Sequence, residues 1–391
     1  MKFDLCDADF YANPVENYGW LRENAPAYWD ETNGLWGISR YDDIVEIEKQ
    51  KSIFVNSGQE SGYRPNIPAD PSIIGIDDPQ HTVRRVLVSR RFTLRAVQEW
   101  EPHIRGAVTK LLDDALATGE PVEAISTLAA PLPAMMIGHL LGFPDELWPS
   151  LADWSQRTIA LGGGPRYFDQ DGIEAAFEFA GACAELYEER KKNPATDVMS
   201  QWVQAEQDGL RDGEPFGVDQ IISDCLLLLD GGAETTRSVI GWTLVELARR
   251  PDQWQRLVDG SDLDVAIEEF VRWVTPVYNM CRTATEPFQI GDATIEPDQS
   301  VMLLYTSANR DPNYFSDPHT FDVTRDPNPH LSFGFGTHFC LGASLARLEL
   351  KIFFEELVSR VSELTLASEP VGLPTAFVNG IRSATFNLVP R

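Results

Sequence analysis

The residues with the clearest chemical potential lie in one run, Phe333-Gly334-Phe335-Gly336-Thr337-His338-Phe339-Cys340-Leu341-Gly342. A single cysteine sits in a loop dense in glycine and phenylalanine. Residues 341–361 follow with apolar side chains at Leu345, Leu348, Leu350, Phe353, Phe354 and Leu357, the pattern of a helix. Cys340 is therefore expected at or just before a helix N-terminus, where unpaired backbone N–H groups and the positive end of the helix dipole favour a thiolate. The glycines allow the backbone to approach something flat and bulky, and the phenylalanines exclude water. A desolvated, amide-supported thiolate suits an iron ligand. A lone cysteine is more often a small buried hydrophobe, but that reading leaves the surrounding glycines and aromatics unexplained.

Three further groups could do chemistry. Gly231-Gly232-Ala233-Glu234-Thr235-Thr236 interrupts an otherwise apolar helical stretch. Adjacent helix glycines cost roughly 1 kcal/mol each relative to alanine, and a buried glutamate costs more unless paired or wet. Breaking helix rules twice in six residues points to function, with glycine letting a ligand lie against the backbone and threonine donating to the i−4 carbonyl or to a bound molecule. A kink with a salt-bridged glutamate is the plainer alternative. His81 and Arg85 are four apart and share a helix face that can grip a carboxylate or simply solvate. Glu269 and Arg272, three apart, would by themselves be an ordinary surface pair worth ~0.2–0.5 kcal/mol.

The elements that must position these groups are mainly helical. Asn13-Pro14 opens a helix through Arg22, and Asn33-Gly34 reads as a hairpin turn between two short strands. Residues 42–50 read as a helix. Residues 59–76 form a loop rich in Gly and Pro, of a length that is usually functional or disordered. Helices are expected over 95–117, 124–141, 144–161, 172–192 and 219–250, with Gly162-Gly163-Gly164 as a break that could act as a lid. Residues 267–274 read as a short helix. Strands are expected at 288–290, 293–295 and 301–305, and a second hairpin around Asn379-Gly380 joins Phe377-Val378 to Ile381 onward. The fold class is mainly α with small β-sheets, one domain over residues 1–391, β-rich near 25–60, 277–305 and 364–391.

The 391 residues carry 32 Lys and Arg against 60 Asp and Glu, a net charge of −28 that argues against nucleic acid or an anionic membrane as a main partner. The basic exception is Arg84, Arg85, Arg90, Arg91 and Arg95. No apolar run is long enough to span a bilayer, and the N-terminus lacks a signal peptide's apolar stretch. Five scattered cysteines form no zinc-like pairs and no disulfide framework, which fits a reducing cytoplasm.

The Cys340 run matches, at every defined position, the haem-binding signature F-G-x-G-x-H-x-C-x-G of the cytochrome P-450 superfamily, and the order of the other groups resembles a soluble bacterial member across nearly the whole chain. The resemblance implies a prism-shaped helical fold, with haem b between the long central helix and the helix after the cysteine. Cys340 becomes the iron ligand, and Phe333, Gly334 and Gly342 shape its loop. Glu269 and Arg272, with Arg325, resemble the pair that braces that loop. His81, Arg85, Arg282 and His338 match positions that hold the propionates. Gly231 and Gly232 match the oxygen-binding groove, with Glu234 and Thr235 as the acid–alcohol pair that delivers protons. The pocket would be lined by residues 59–76 and 162–165, the segment before Thr235, residues 277–280 including Val277 and Tyr278, and Val378 and Asn379.

The implied activity is insertion of one atom of O2 into a C–H bond of a small apolar substrate such as a steroid, terpenoid, fatty acid or aromatic. NAD(P)H would supply electrons through a ferredoxin reductase and a ferredoxin, since the chain holds no flavin or iron–sulfur motif. The ferredoxin would dock on an arginine patch of Arg84, Arg90, Arg91 and Arg347, and the protein would be a monomer without a membrane span. A peroxide-driven enzyme would not need the Glu234–Thr235 pair. A gas-binding haem protein would need a signalling region for which no residues remain. A zinc site at His338 and Cys340 has too few ligands.

Overall fold

The computed structural model describes every residue except Asn13 and Asp212. The expected helix start at Asn13 thus lies outside the described residues, and a helix runs over Pro14–Asn24.

The centre of the molecule is a helix in two pieces, Val218–Leu229 and Thr235–Arg249, joined by a wide π-type turn over Asp230–Glu234. The sequence pattern predicts one uninterrupted helix over 219–250; the glycine pair instead lets the backbone widen by one residue per turn, a form that recurs at functional sites. The two glycines differ in purpose. A Cβ on Gly232 would fall 2.4 Å from Ile137 Cδ1, so close helix packing demands its absence. A Cβ on Gly231 would meet nothing within 4 Å, because that residue faces an open cleft.

Around this axis lie the helices Pro131–Leu141, Trp148–Thr158 and Gln170–Lys192 on one side, and Leu263–Val274 and Ala343–Arg360 on the other. Their apolar faces merge in one large core that includes Leu229, Ala233, Ile240, Phe270 and Phe354. The helix expected over 95–117 is two, Leu94–Gln98 and Glu101–Leu116, because Pro102 can occupy only the first turn of a helix without losing a hydrogen bond.

A five-stranded sheet runs in the order Ala27–Asp30, Leu35–Ile38, Ser300–Leu303, Met280–Ala284, Phe54–Val55. The Asn33-Gly34 hairpin forms as expected, with Gly34 at φ 65°. The expected strand 301–305 is shorter, since Tyr305 already begins a helical turn. The tail hairpin is a correction. Ile381–Ser383 pairs with Val371–Gly372, while Val378 bridges to Val277 and the Asn379 amide donates to Pro276 O. The Asn-Gly pair therefore turns the chain between two different partners instead of closing a hairpin on itself. Gly162 and Gly163 are buried against the Phe377 and Tyr167 rings.

Candidate functional site

Two left-handed glycines, Gly334 and Gly336 at φ 70° and 71°, fold the cysteine loop back on itself. A Cβ on Gly336 would lie 2.7 Å from Glu48 O, so that turn requires glycine on both counts. The Cys340 amide then donates to Phe333 O at 2.8 Å, and the helix Ala343–Arg360 starts three residues later. Burial pushes the Cys340 thiol up; the Gly342 and Ala343 amides and the Arg85 and Arg347 guanidiniums pull it the other way, and burial prevails. Among the described residues no three His, Cys, Asp or Glu side chains gather as a metal cluster. Cys340 is thus a lone soft donor, half-buried at the floor of a cleft, with Phe335 and Phe339 exposed beside it.

Countercharges border this floor. The Arg85 guanidinium donates to Phe339 O. The His81 and His338 rings lie 4.3 Å apart between centroids. His81 is buried, yet neither ring nitrogen has a hydrogen-bond partner among the described residues; Asp78 is 3.7 Å away. Burial, then His338 and Arg85, drive the His81 pKa down to about 4. His338 Nε2 stands 3.9 Å from Asp77 Oδ1. Arg282, on the buried strand Met280–Ala284, donates to both Glu48 oxygens at 2.9 and 3.0 Å and to Cys281 O at 2.7 Å. A cavity of about 260 Å³ joins Glu48, Arg282, His338, Asp77, Ile47 and Phe54.

On the central helix, Thr235 Oγ1 donates to Gly231 O at 2.6 Å, tying the hydroxyl to the wide turn. Glu234 is buried and accepts from Arg237 Nη1 at 2.8 Å, while Arg237 Nη2 holds Ile381 O at 2.7 Å. Among the described residues Glu234 Oε1 has no hydrogen-bond partner. Burial, with a contribution from Asp230, lifts the Glu234 carboxyl to about 7 against the pull of Arg237.

The expected brace is assembled and deep. Glu269 and Arg272 are both fully buried, and Arg272 Nε and Nη2 meet the Glu269 carboxylate at 2.6 and 2.8 Å. Arg325 Nε and Asn328 Nδ2 add to the same oxygen at 3.1 Å each. Arg272 also holds Asn309 O and Pro318 O, so the pair organises the irregular chain that leads into the cysteine loop. Removing one partner of such a buried pair costs roughly 3–5 kcal/mol. Val277 and Val378 pack with Ile159, Phe377 and Met280. Tyr278 instead stacks on Tyr11 at 4.4 Å and donates to Asn379 Oδ1, and Asn379 Nδ2 holds Val274 O.

Two arginines of the expected patch are spent elsewhere. Arg84 is buried with Nη2 2.5 Å from Asp224 Oδ2, so it ties helix Gln80–Ser89 to the central helix. Arg347 is clamped on Glu268 at 2.6 and 2.8 Å. Glu48 and Arg237 are the site residues that sequence reading passes over. Glu48 was detectable, because it shares the buried face of helix Tyr41–Lys49 with Ile44 and Ile47, where an acid is out of place.

The family model for cytochrome P450 matches residues 261–371. A steroid C26-monooxygenase of Mycobacterium tuberculosis is 37% identical, covering 99% of this chain and 97% of its own. The linalool 8-monooxygenase of Pseudomonas putida is 32% identical, with 99% of each chain covered. A cytochrome P450 of Mycobacterium marinum, solved with pseudoionone, superposes with a TM-score of 0.89 at 30% identity over 99% of both chains. The chain therefore belongs to the cytochrome P450 family, and it is a P450 monooxygenase. The family implies haem, O2 and an organic substrate. The residues present fit a haem: a single thiol donor, His81 nitrogens beside cationic Arg85 that have no partner among the described residues, His338 near Arg282, and a Gly231 backbone open to space. Among the described residues, no helix is long and apolar enough to cross a membrane.

Proposed function

We propose that the protein is a ferredoxin-dependent hydroxylase of small apolar molecules, in which Cys340 ligates haem b and residues 1–391 act as one haem domain. One oxygen atom enters a substrate C–H bond and the other leaves as water, with two electrons and two protons consumed. Bound haem supplies the activation of O2. His81, Arg85, Arg282 and His338 would hold the propionates, Phe333, Gly334 and Gly342 shape the thiolate loop, and Glu269, Arg272 and Arg325 keep it in place. Gly231 lines the oxygen groove, whereas Gly232, expected there too, is taken up by close packing against Ile137. Thr235 holds a proton at Oγ1 against Gly231 O, and Glu234, poised near neutrality, resupplies it.

The observation that carries this reading is the presence in one chain of a Cys340 thiol supported by the Gly342 and Ala343 amides and of a Glu234–Thr235 pair on a widened turn of the central helix. An apolar substrate is supported by the Ile159, Val277, Phe377 and Val378 cluster and by the names of the steroid- and linalool-oxidising relatives. Electrons would come from NAD(P)H through a reductase and a ferredoxin, with the enzyme a cytoplasmic monomer that carries no flavin or iron–sulfur centre. Turnover with ferredoxin, reductase and NAD(P)H should far exceed turnover with peroxide alone. Equal turnover with peroxide would favour the peroxygenase reading, and no product under either condition would remove the enzymatic one. A screen for compounds that shift the haem Soret band would find the substrates without the redox partner.

A further inference from the structure

The cleft holds one more carboxyl, which neither the proton pair nor the haem-binding groups use. Asp230 opens the wide turn, one residue before Gly231, and is half-buried. Its Oδ1 accepts from Thr158 Oγ1 at 2.7 Å. Among the described residues no hydrogen bond or ion pair reaches its Oδ2. Arg64, the cation that reaches it electrostatically, is paired at 3.0 Å with Asp70. Burial accordingly lifts the Asp230 carboxyl to about 7.

It adjoins segments that the resemblance assigns to the substrate pocket. Thr158 precedes Ile159, which packs with Phe377 and Val378 and, through them, with Val277. Tyr63 and Arg64, from residues 59–76, approach from the other side. Five residues separate Asp230 from Thr235, about 7 Å along the helix axis. Thr158 does not need this acid, since its hydroxyl also reaches Trp154 O of its own helix at 2.8 Å. An apolar residue at this position would spare the desolvation of a carboxyl. A side chain that costs stability and leaves an acceptor without a partner among the described residues, beside the Ile159 cluster, has the form of a ligand contact.

We propose that Asp230 is a specificity-determining residue whose Oδ2 accepts a hydrogen bond from a substrate hydroxyl, so that the enzyme selects apolar alcohols over the matching ketones and hydrocarbons. This rests on the haem-thiolate reading and adds the chemical class of the substrate's polar group.

The test titrates purified holoenzyme with matched alcohol, ketone and hydrocarbon sets (cyclooctyl and cyclododecyl), reading the Soret shift. Wild type, Asp230→Val and Asp230→Asn are compared. The wild type should bind each alcohol about tenfold or more tightly than its hydrocarbon, as expected for a hydrogen bond to an ionisable acceptor. In Asp230→Val the ratio should fall to about one, with hydrocarbon binding undiminished and thermal stability equal or higher. Asp230→Asn, which keeps an accepting oxygen, should retain part of the preference. A wild-type ratio of about one, or a ratio unchanged in Asp230→Val, overturns the proposal and leaves Asp230 as a helix-to-helix tie. Failure of the underlying reading is separate: the wild type would lack the red-shifted band of the reduced CO complex before any ligand is added.

Discussion

Two carboxyls one helical turn apart, Asp230 and Glu234, are each lifted to about 7 by burial, yet their surroundings give them different work. Glu234 is leashed to Arg237 and keeps one oxygen without a partner, so it can take up and release a proton beside Thr235. Its acid form prevails below about pH 7 and its base form above. If the acid form feeds Thr235, the fraction of reducing equivalents that reaches product should fall as pH rises through about 7. Glu234→Gln should flatten that profile and lower product formation by about a hundredfold, the lower end for a lost proton-transfer group. A profile with the same inflection in the Gln variant would move the titration to another group. Thr235→Ala should keep the spectrum of the reduced CO complex while diverting electrons to peroxide, measured as NAD(P)H consumed per product.

At the scale of elements, the helix Ala343–Arg360 begins three residues after Cys340, and it buries an acid of its own. Glu349 is buried, its Oε2 has no hydrogen-bond partner among the described residues, and burial alone lifts it to about 8. The folded state therefore binds this proton more tightly than the unfolded chain, and stability falls as pH rises from the ordinary glutamate range to about 8. Glu349→Gln, neutral at every pH, should match the wild type near pH 4.5 and exceed it at pH 8 and above by an amount on the order of a few kcal/mol. Melting temperatures across that range check it, and parallel curves would show that Glu349 has a compensating partner. Such a group illustrates what was legible beforehand. The cysteine loop and the glycine pair could be read because each breaks a local rule within a few residues, whereas Glu269 and Arg272 by themselves read as an ordinary surface pair and only the resemblance singled them out. The wide turn, the split at Pro102 and the tail crossing to Val277 could not be bounded, because tertiary packing decides them. Arg237 drew no separate reading from the sequence, because its burial depends on Glu234 beside it and on the distant approach of Ile381 O.

For the whole molecule, the acidic surface and its few exposed cations decide which partners can approach. With Arg84 on Asp224 and Arg347 on Glu268, the positive patch narrows to Arg90 and Arg91, and Arg91 also donates to Gln201 and to Thr196 O. Reversing both to Glu should slow reduction by the ferredoxin at low salt by about tenfold or more, with the difference shrinking as salt screens it. Unchanged rates at low salt would place docking elsewhere. All of this presupposes that the chain closes around a haem held by one sulfur. The reduced CO spectrum of Cys340→Ser tests that most directly. The account predicts that the variant folds but loses the red-shifted Soret band together with turnover. Retention of both the band and turnover would contradict it.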